Sequence, residues 1–139
     1  GVRYFETNGG PLDQGNRGRD VGIREARGQY VAFWDDDNAY YPHSAASQYA
    51  AVYGAGVGVT AVHHRQLRKV IPEIPFAGPQ LGHVDTACLC VDRRLAKLSP
   101  WVDGQNGRCG DWRWLERLLP RVDEFGGLRF VPVITASHL

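Results

Sequence analysis

Three consecutive carboxylates, Asp35, Asp36 and Asp37, with Asn38 behind them, stand directly after the apolar run Tyr30-Val31-Ala32-Phe33-Trp34. Acidic groups gathered at the end of a buried strand cannot all stay ionised without a partner, because each gives up hydration that nothing else replaces. Open α/β sheets bind ligands outside the carboxyl ends of their strands. A hard divalent cation, Mg2+ or Mn2+, is the simplest partner for such an oxygen cluster, and it can bridge to the phosphates of a substrate. A solvated acidic turn, or a helix cap ahead of Pro42, accounts for the same residues with no ligand. The run taken alone leaves both readings open.

A second carboxylate, Asp111, opens a segment in which Trp112, Leu115, Leu118 and Leu119 recur on one helical face. A carboxylate there can simply cap the helix, where the dipole favours negative charge. Arg17, Arg19 and Arg108 fall in loop-like stretches, and guanidinium forks suit phosphate geometry, but the sequence does not choose among them. His63, His64 and His83 have no context that marks them for chemistry and read as surface or core residues.

The elements that must position these groups follow from local pattern. Residues 2–7 (VRYFET) are strand formers that stop at the turn signal Asn8-Gly9-Gly10-Pro11. Asp20 suits an N-cap for a short helix over 21–27, with Gly28 placed to end it. Residues 30–34 form a continuous apolar run, expected of a strand buried on both faces. Pro42 opens a helix ending before Gly54, and Val57–His64 predicts another strand. The stretch 72–83, rich in proline and glycine, predicts a surface loop. A strand over 84–91, a short helix over 92–98, the Asp111 helix and a last strand over 128–134 complete the pattern. Strands alternating with helices indicate an α/β sheet.

Composition narrows the class. A chain of 139 residues with 43% hydrophobic and 22% charged residues fits one folded domain. A net charge of +1 gives no broad field toward nucleic acid or an acidic membrane, and no apolar run approaches the ~20 residues of a transmembrane helix. Cys88, Cys90 and Cys109 are an odd count without zinc-site spacing, so free, mostly buried thiols in a reducing compartment, the cytoplasm, are expected.

The run Gly22-Ile23-Arg24-Glu25-Ala26-Arg27-Gly28-Gln29-Tyr30-Val31-Ala32-Phe33-Trp34-Asp35-Asp36-Asp37-Asn38 resembles the centre of family 2 glycosyltransferases, where a short helix, a glycine and a buried strand precede an Asp-x-Asp signature. Asn16-Arg17-Gly18-Arg19-Asp20 is similar to that family's Arg-Asn segment, with Asp20 in the usual Asn place. Gly110-Asp111-Trp112-Arg113-Trp114-Leu115-Glu116-Arg117-Leu118 resembles its second acidic motif, with Gly110 where the leading acid usually stands. The ending Gly126 to Ile134 followed by His138 resembles the strand, proline and metal-ligating histidine of many GT-A enzymes.

The resemblance implies a partial GT-A fold, a Rossmann-like mixed sheet flanked by helices, as a single domain over residues 1–139. It places Asp35 near the ribose or base of a nucleotide-sugar donor, lets Asp36 share a donor or metal role, and makes Asp37, Asp35 and His138 ligands of Mn2+ or Mg2+. Arg19 would face the donor diphosphate. Asp111 matches the general base that deprotonates a hydroxyl acceptor, a saccharide or small molecule, in inverting members. Trp112 adjoins that base and could stack on the acceptor, although an aromatic on an amphipathic helix is more often core. Two strand–helix units of about 30 residues each, which carry base recognition in complete enzymes, have no counterpart here. An apolar strand over 30–34 with an open edge would aggregate unless paired, so a homodimer or a partner chain completing the sheet is expected. Two alternatives remain: a non-catalytic GT-A remnant acting as a binding or interaction module, and a different metal-dependent phosphoryl or nucleotidyl transferase.

Overall fold

The computed structural model of the chain describes residues 2–8, 13, 15–101 and 109–138. Helix α1 (Asn16–Glu25) is followed by strands β1 (Tyr30–Ala32) and β2 (Asn38–Tyr40), helix α2 (Ser44–Val52), and strands β3 (Val57–His64) and β4 (Lys69–Ile71). A 3-10 turn, Thr86–Cys88, leads into β5 (Leu89–Asp92) and the single turn α3 (Arg93–Ala96). Helix α4 (Gly110–Leu118) runs on through a 3-10 stretch, Leu119–Phe125, to β6 (Leu128–His138). The strands form one mixed sheet in the order β1-β5-β3-β6-β2, with β4 paired to the far end of β3. Only β3 and β6 run parallel; the other pairings are antiparallel. The architecture is mixed α/β.

Strand β3 anchors the sheet because its side chains are buried on both faces from Val57 to Val62. Val57 and Val59 join a core with Leu89, Val91, Leu95, Trp114 and Leu115. On the opposite pleat, Gly58 lies against α2: a methyl group there would sit 2.5 Å from the backbone nitrogen of Val52. Only hydrogen allows that approach, and α2 seats Ala51 and Val52 with no exposure at all. Thr60 and Thr135 exchange a buried hydroxyl hydrogen bond at 2.9 Å between β3 and β6, so the polar groups within this layer satisfy each other. Pro132, exposed, falls within β6 where the register with β3 shifts between Val59 and Ala61; an irregularity of this kind is where a central strand tolerates proline.

Several elements differ from the sequence expectation. Residues 2–7 form no strand; they are exposed, and Arg3 ties them to the Glu25 carbonyl at 2.5 Å. Helix α1 starts five residues before the expected 21–27 span. Gly15 takes a left-handed φ of 75° ahead of it, and the Asp13 carboxylate accepts from the Arg17 amide at 2.9 Å. Asp20 is therefore inside the helix rather than its cap, and its carboxylate accepts the Trp101 backbone N–H at 2.8 Å. Strand β1 ends at Ala32, lies at the sheet edge, and is not buried on both faces: Phe33 is buried, but Ala32 and Trp34 are exposed. The first half of the 84–91 segment is the 3-10 turn, capped by Asp85. On α4 the buried face is Trp114, Leu115 and Leu118, with Trp112 only partly covered. The last strand continues past Ile134 to His138. Residues 72–83 contain no helix or strand, as expected of a loop, and among the described residues no helix is long and apolar enough to cross a membrane.

Candidate functional site

The chain leaves β1 through Phe33 and Trp34 and turns at Asp36 and Asp37 before β2. The turn is closed by the Asn38 N–H on the Asp35 carbonyl, 3.3 Å, and the Asp35 N–H donates to the Tyr40 hydroxyl at 2.8 Å. Tyr40 is held in turn by stacking on Trp34, centroids 4.5 Å apart. Packing thus fixes the acidic run at the tip of the β1–β2 connection, where its side chains point into a cavity of about 590 Å³.

The same cavity is lined by Gly15, Asn16 and Arg19 of the α1 end, Thr86, Cys109 to Asp111 at the start of α4, and His138 at the end of β6. Asp35, Asp36, Asp37, Asp111, Arg19 and His138 therefore share one wall-to-wall site, although they come from four parts of the chain. Four carboxylates face one guanidinium and one imidazole. Such a site repels a bare diphosphate and favours a diphosphate that arrives with cations.

The acids are not equivalent. Arg19 donates from Nη2 to Asp35 Oδ1 at 2.6 Å, with both side chains mostly shielded from water, while its guanidinium lies over the Trp101 ring at 5.5 Å. Asp36 and Asp37 are exposed and form no ion pair or hydrogen bond among the described residues. Asp111 sits in the first turn of α4, accepts the Trp112 N–H at 2.7 Å, and has its carboxyl pushed above the usual range. Burial is the main cause and the nearby charge of Asp85 adds to it, against the opposing pull of the Trp112 N–H and Arg19. A purely solvated cap would not be raised in this way.

His138 pairs with Asn38 across β2 and with His64 along β3. Its ring stacks on His64 with centroids 4.4 Å apart, and burial together with this neighbour lowers the His64 pKa. His138 Nδ1 and Asn38 Oδ1 are both buried without a hydrogen-bond partner among the described residues. Buried polar atoms are rarely left so, and a ligand is one way to satisfy them. The carboxylate oxygens of Asp35 and Asp37 are the donor type that Mn2+ or Mg2+ takes, while an imidazole nitrogen is an accepted but poorer ligand for them. Among the described residues, however, no three His, Cys, Asp or Glu side chains form a ready-made cation cluster.

Of the other expected site residues, Trp112 is partly buried and lies outside the cavity lining. Arg17 belongs to α1 rather than a loop, is exposed, and donates its guanidinium to the Asn8 carbonyl at 3.1 Å. Arg108 lies outside the described residues. Trp114 is core, stacked on Trp101 at 4.5 Å.

Trp101 carried no sequence signal and Asn16 stood out only as part of the 16–20 segment, yet the Trp101 indole donates to Asn16 Oδ1 at 2.8 Å beneath the cavity floor. The two are 85 residues apart, which no local pattern reveals. Gly110 is explained by the same contact, because a side chain there would collide with the Asn16 amide. No protein-family profile matches the chain, and comparison with curated proteins finds no match.

Proposed function

We propose that this chain is a metal-dependent glycosyltransferase of the GT-A type, family 2-like, which moves a sugar from a nucleotide-diphosphate donor to a hydroxyl acceptor with inversion. The observation that carries the reading is that Asp37 and Asp111, distant in sequence, open into one cavity together with Arg19 and His138. In this reading Asp35, Asp37 and His138 hold Mn2+ or Mg2+, which when bound neutralises charge on the leaving diphosphate. Asp36 and Asp35 border the donor, and Arg19 faces the phosphates with Asp35 as its counter-ion.

Asp111 takes the proton of the acceptor hydroxyl. The acceptor oxygen forms its bond to the anomeric carbon as the bond from that carbon to the diphosphate oxygen breaks on the opposite face. A carboxyl raised by burial is a better base for this work than an exposed one. Trp112 supports an acceptor contact only through its position beside Asp111.

The open side of β1 fits a homodimer or a partner chain that extends the sheet. Cys88, Cys90 and Cys109 are all free thiols, which supports a reducing, cytoplasmic setting. A second reading is a non-catalytic GT-A remnant that binds without turnover.

The deciding experiment follows thermal stability with Mn2+, UDP or GDP, and both together. Joint stabilisation that Asp37→Ala abolishes supports the cation and diphosphate assignment; a site saturated to ~100 times its Kd adds about 2.7 kcal/mol. Stabilisation that survives Asp37→Ala overturns it. Transfer lost in Asp111→Asn then separates enzyme from remnant.

A further inference from the structure

We propose that Asn16 is a positioning residue for Asp111: its carboxamide, pinned by Trp101, seats the first turn of α4 and so sets where the Asp111 carboxylate meets the cavity. This rests on the reading of Asp111 as the group that acts there. Three observations converge on the amide. It is 9% exposed, although asparagine is mostly a surface residue. Its Oδ1 accepts the Trp101 indole N–H at 2.8 Å. And the α4 backbone comes so close that a methyl group on Gly110 would lie 2.5 Å from Oδ1 and 3.1 Å from Cγ.

The amide is fixed from below. Trp101 is wedged between Phe33, at 4.9 Å, and Trp114, at 4.5 Å, and carries the Arg19 guanidinium on its face. One buried indole therefore supports both charged walls of the cavity: Arg19 with Asp35 on one side, and through Asn16 the start of α4 on the other. Among the described residues, the one side-chain acceptor on a first-turn N–H of α4 is Asp111 itself, on Trp112. The N-cap residue of the helix, Cys109, has a left-handed φ of 65° and makes no side-chain cap. The contact of Gly110 with Asn16 takes the place of a cap in locating the first turn, and Asp111 is the next residue along it.

Two measurements on the whole chain test this, and neither needs turnover. The first is a double-mutant cycle between residues 16 and 110. Gly110→Ala is expected to lower Tm by several degrees in the native background and to cost little on top of Asn16→Ala, because the obstructing amide is gone. Equal losses in both backgrounds overturn the proposal.

The second is a carbon-detected pH titration of the Asp111 carboxyl. Asn16→Ala lets water reach the first turn and is expected to move the midpoint back toward that of an ordinary aspartate. Asn16→Asp keeps an acceptor for the indole, and so the fold, while placing a like charge nearby; it is expected to move the midpoint upward. A midpoint unchanged in both variants refutes the coupling. Asp111→Asn separates the two ideas: if it leaves transfer intact, the base reading fails while the Asn16 coupling is judged by these measurements alone.

Discussion

Asp35 reaches the cavity already bound to Arg19, Oδ1 to Nη2 at 2.6 Å, so the acidic run is unequal in charge before any ligand arrives. Asp37, by contrast, makes no ion pair among the described residues. The pair divides the run into a braced member and an exposed one, and it makes Arg19 a gauge of how much negative charge the cavity shows.

Removing that brace should separate two affinities. In Arg19→Ala the cavity gains one uncompensated charge, so Mn2+ alone binds tighter while Mn2+ with UDP binds more weakly. Each change should be about fivefold, the ratio set by ~1 kcal/mol, the upper end for a pair still partly reached by water. Isothermal titration of metal with and without the nucleotide reads both. A parallel shift of the two affinities would show that Arg19 does not face the phosphates.

Asp111→Asn should stabilise the fold at neutral pH. Burial raises the native carboxyl, so the folded chain keeps a proton over a pH window in which the unfolded chain has lost it. Stability therefore falls as pH rises through that window, from the ordinary aspartate value near 3.9 upward. The amide carries no charge to bury and can still accept the Trp112 N–H. The Tm of Asp111→Asn should exceed that of the parent at pH 7 and converge with it below about pH 4. A variant less stable at both ends would mean the carboxylate is a net structural asset.

Gly58→Ala tests the close seating of α2. The added methyl would press on the Val52 and Ala51 backbone, at 2.5 and 2.7 Å, and neither can yield without moving the helix. Overpacking of this kind costs ~1–3 kcal/mol, measurable by urea unfolding as a lower midpoint at unchanged slope. A neutral result would place α2 further from β3.

The open edge of β1 leads to a solution measurement. If the sheet is extended through this strand, sedimentation should show concentration-dependent association, and Ala32→Lys, a charge at an exposed edge position, should shift it toward monomer. A parent chain that stays monomeric at high concentration argues against pairing through β1.

Much of this architecture was readable from short-range pattern. Val57–His64 is a run with one plausible role, and it forms a strand over that span. The acidic run lies at a strand end and does enter a cavity. Other features depended on partners remote in sequence. An apolar run such as 30–34 does not say whether it has one neighbour or two, nor that the strand stops at Ala32 and leaves Trp34 half exposed beyond its end. Residues 2–7 have strand-forming side chains, yet among the described residues no strand pairs with them to complete a ladder. Asp20 has the composition of a cap, but the turn at Asp13 and Gly15 starts the helix earlier. His64 carried no local sign of interest; it lies outside the cavity lining and is notable only because β3 and β6 bring it against His138.

The irregular pairing of β6 with β3 has a reach beyond its own hydrogen bonds. Over the same length of sheet β3 uses 8 residues and β6 uses 11. Straightened out, the surplus three residues would carry the terminal imidazole roughly 10 Å beyond the sheet, at ~3.3 Å per residue. Two irregularities, a surplus of two residues around Pro132 and of one between Ile134 and Ala136, thus work together as a slack-taker that reels His138 back to the level of His64. Because the surplus is an odd number, it also decides which way the ring points. Deleting a single residue there would leave every side chain of the cavity present in the gene product and still turn the histidine to the other side of the sheet.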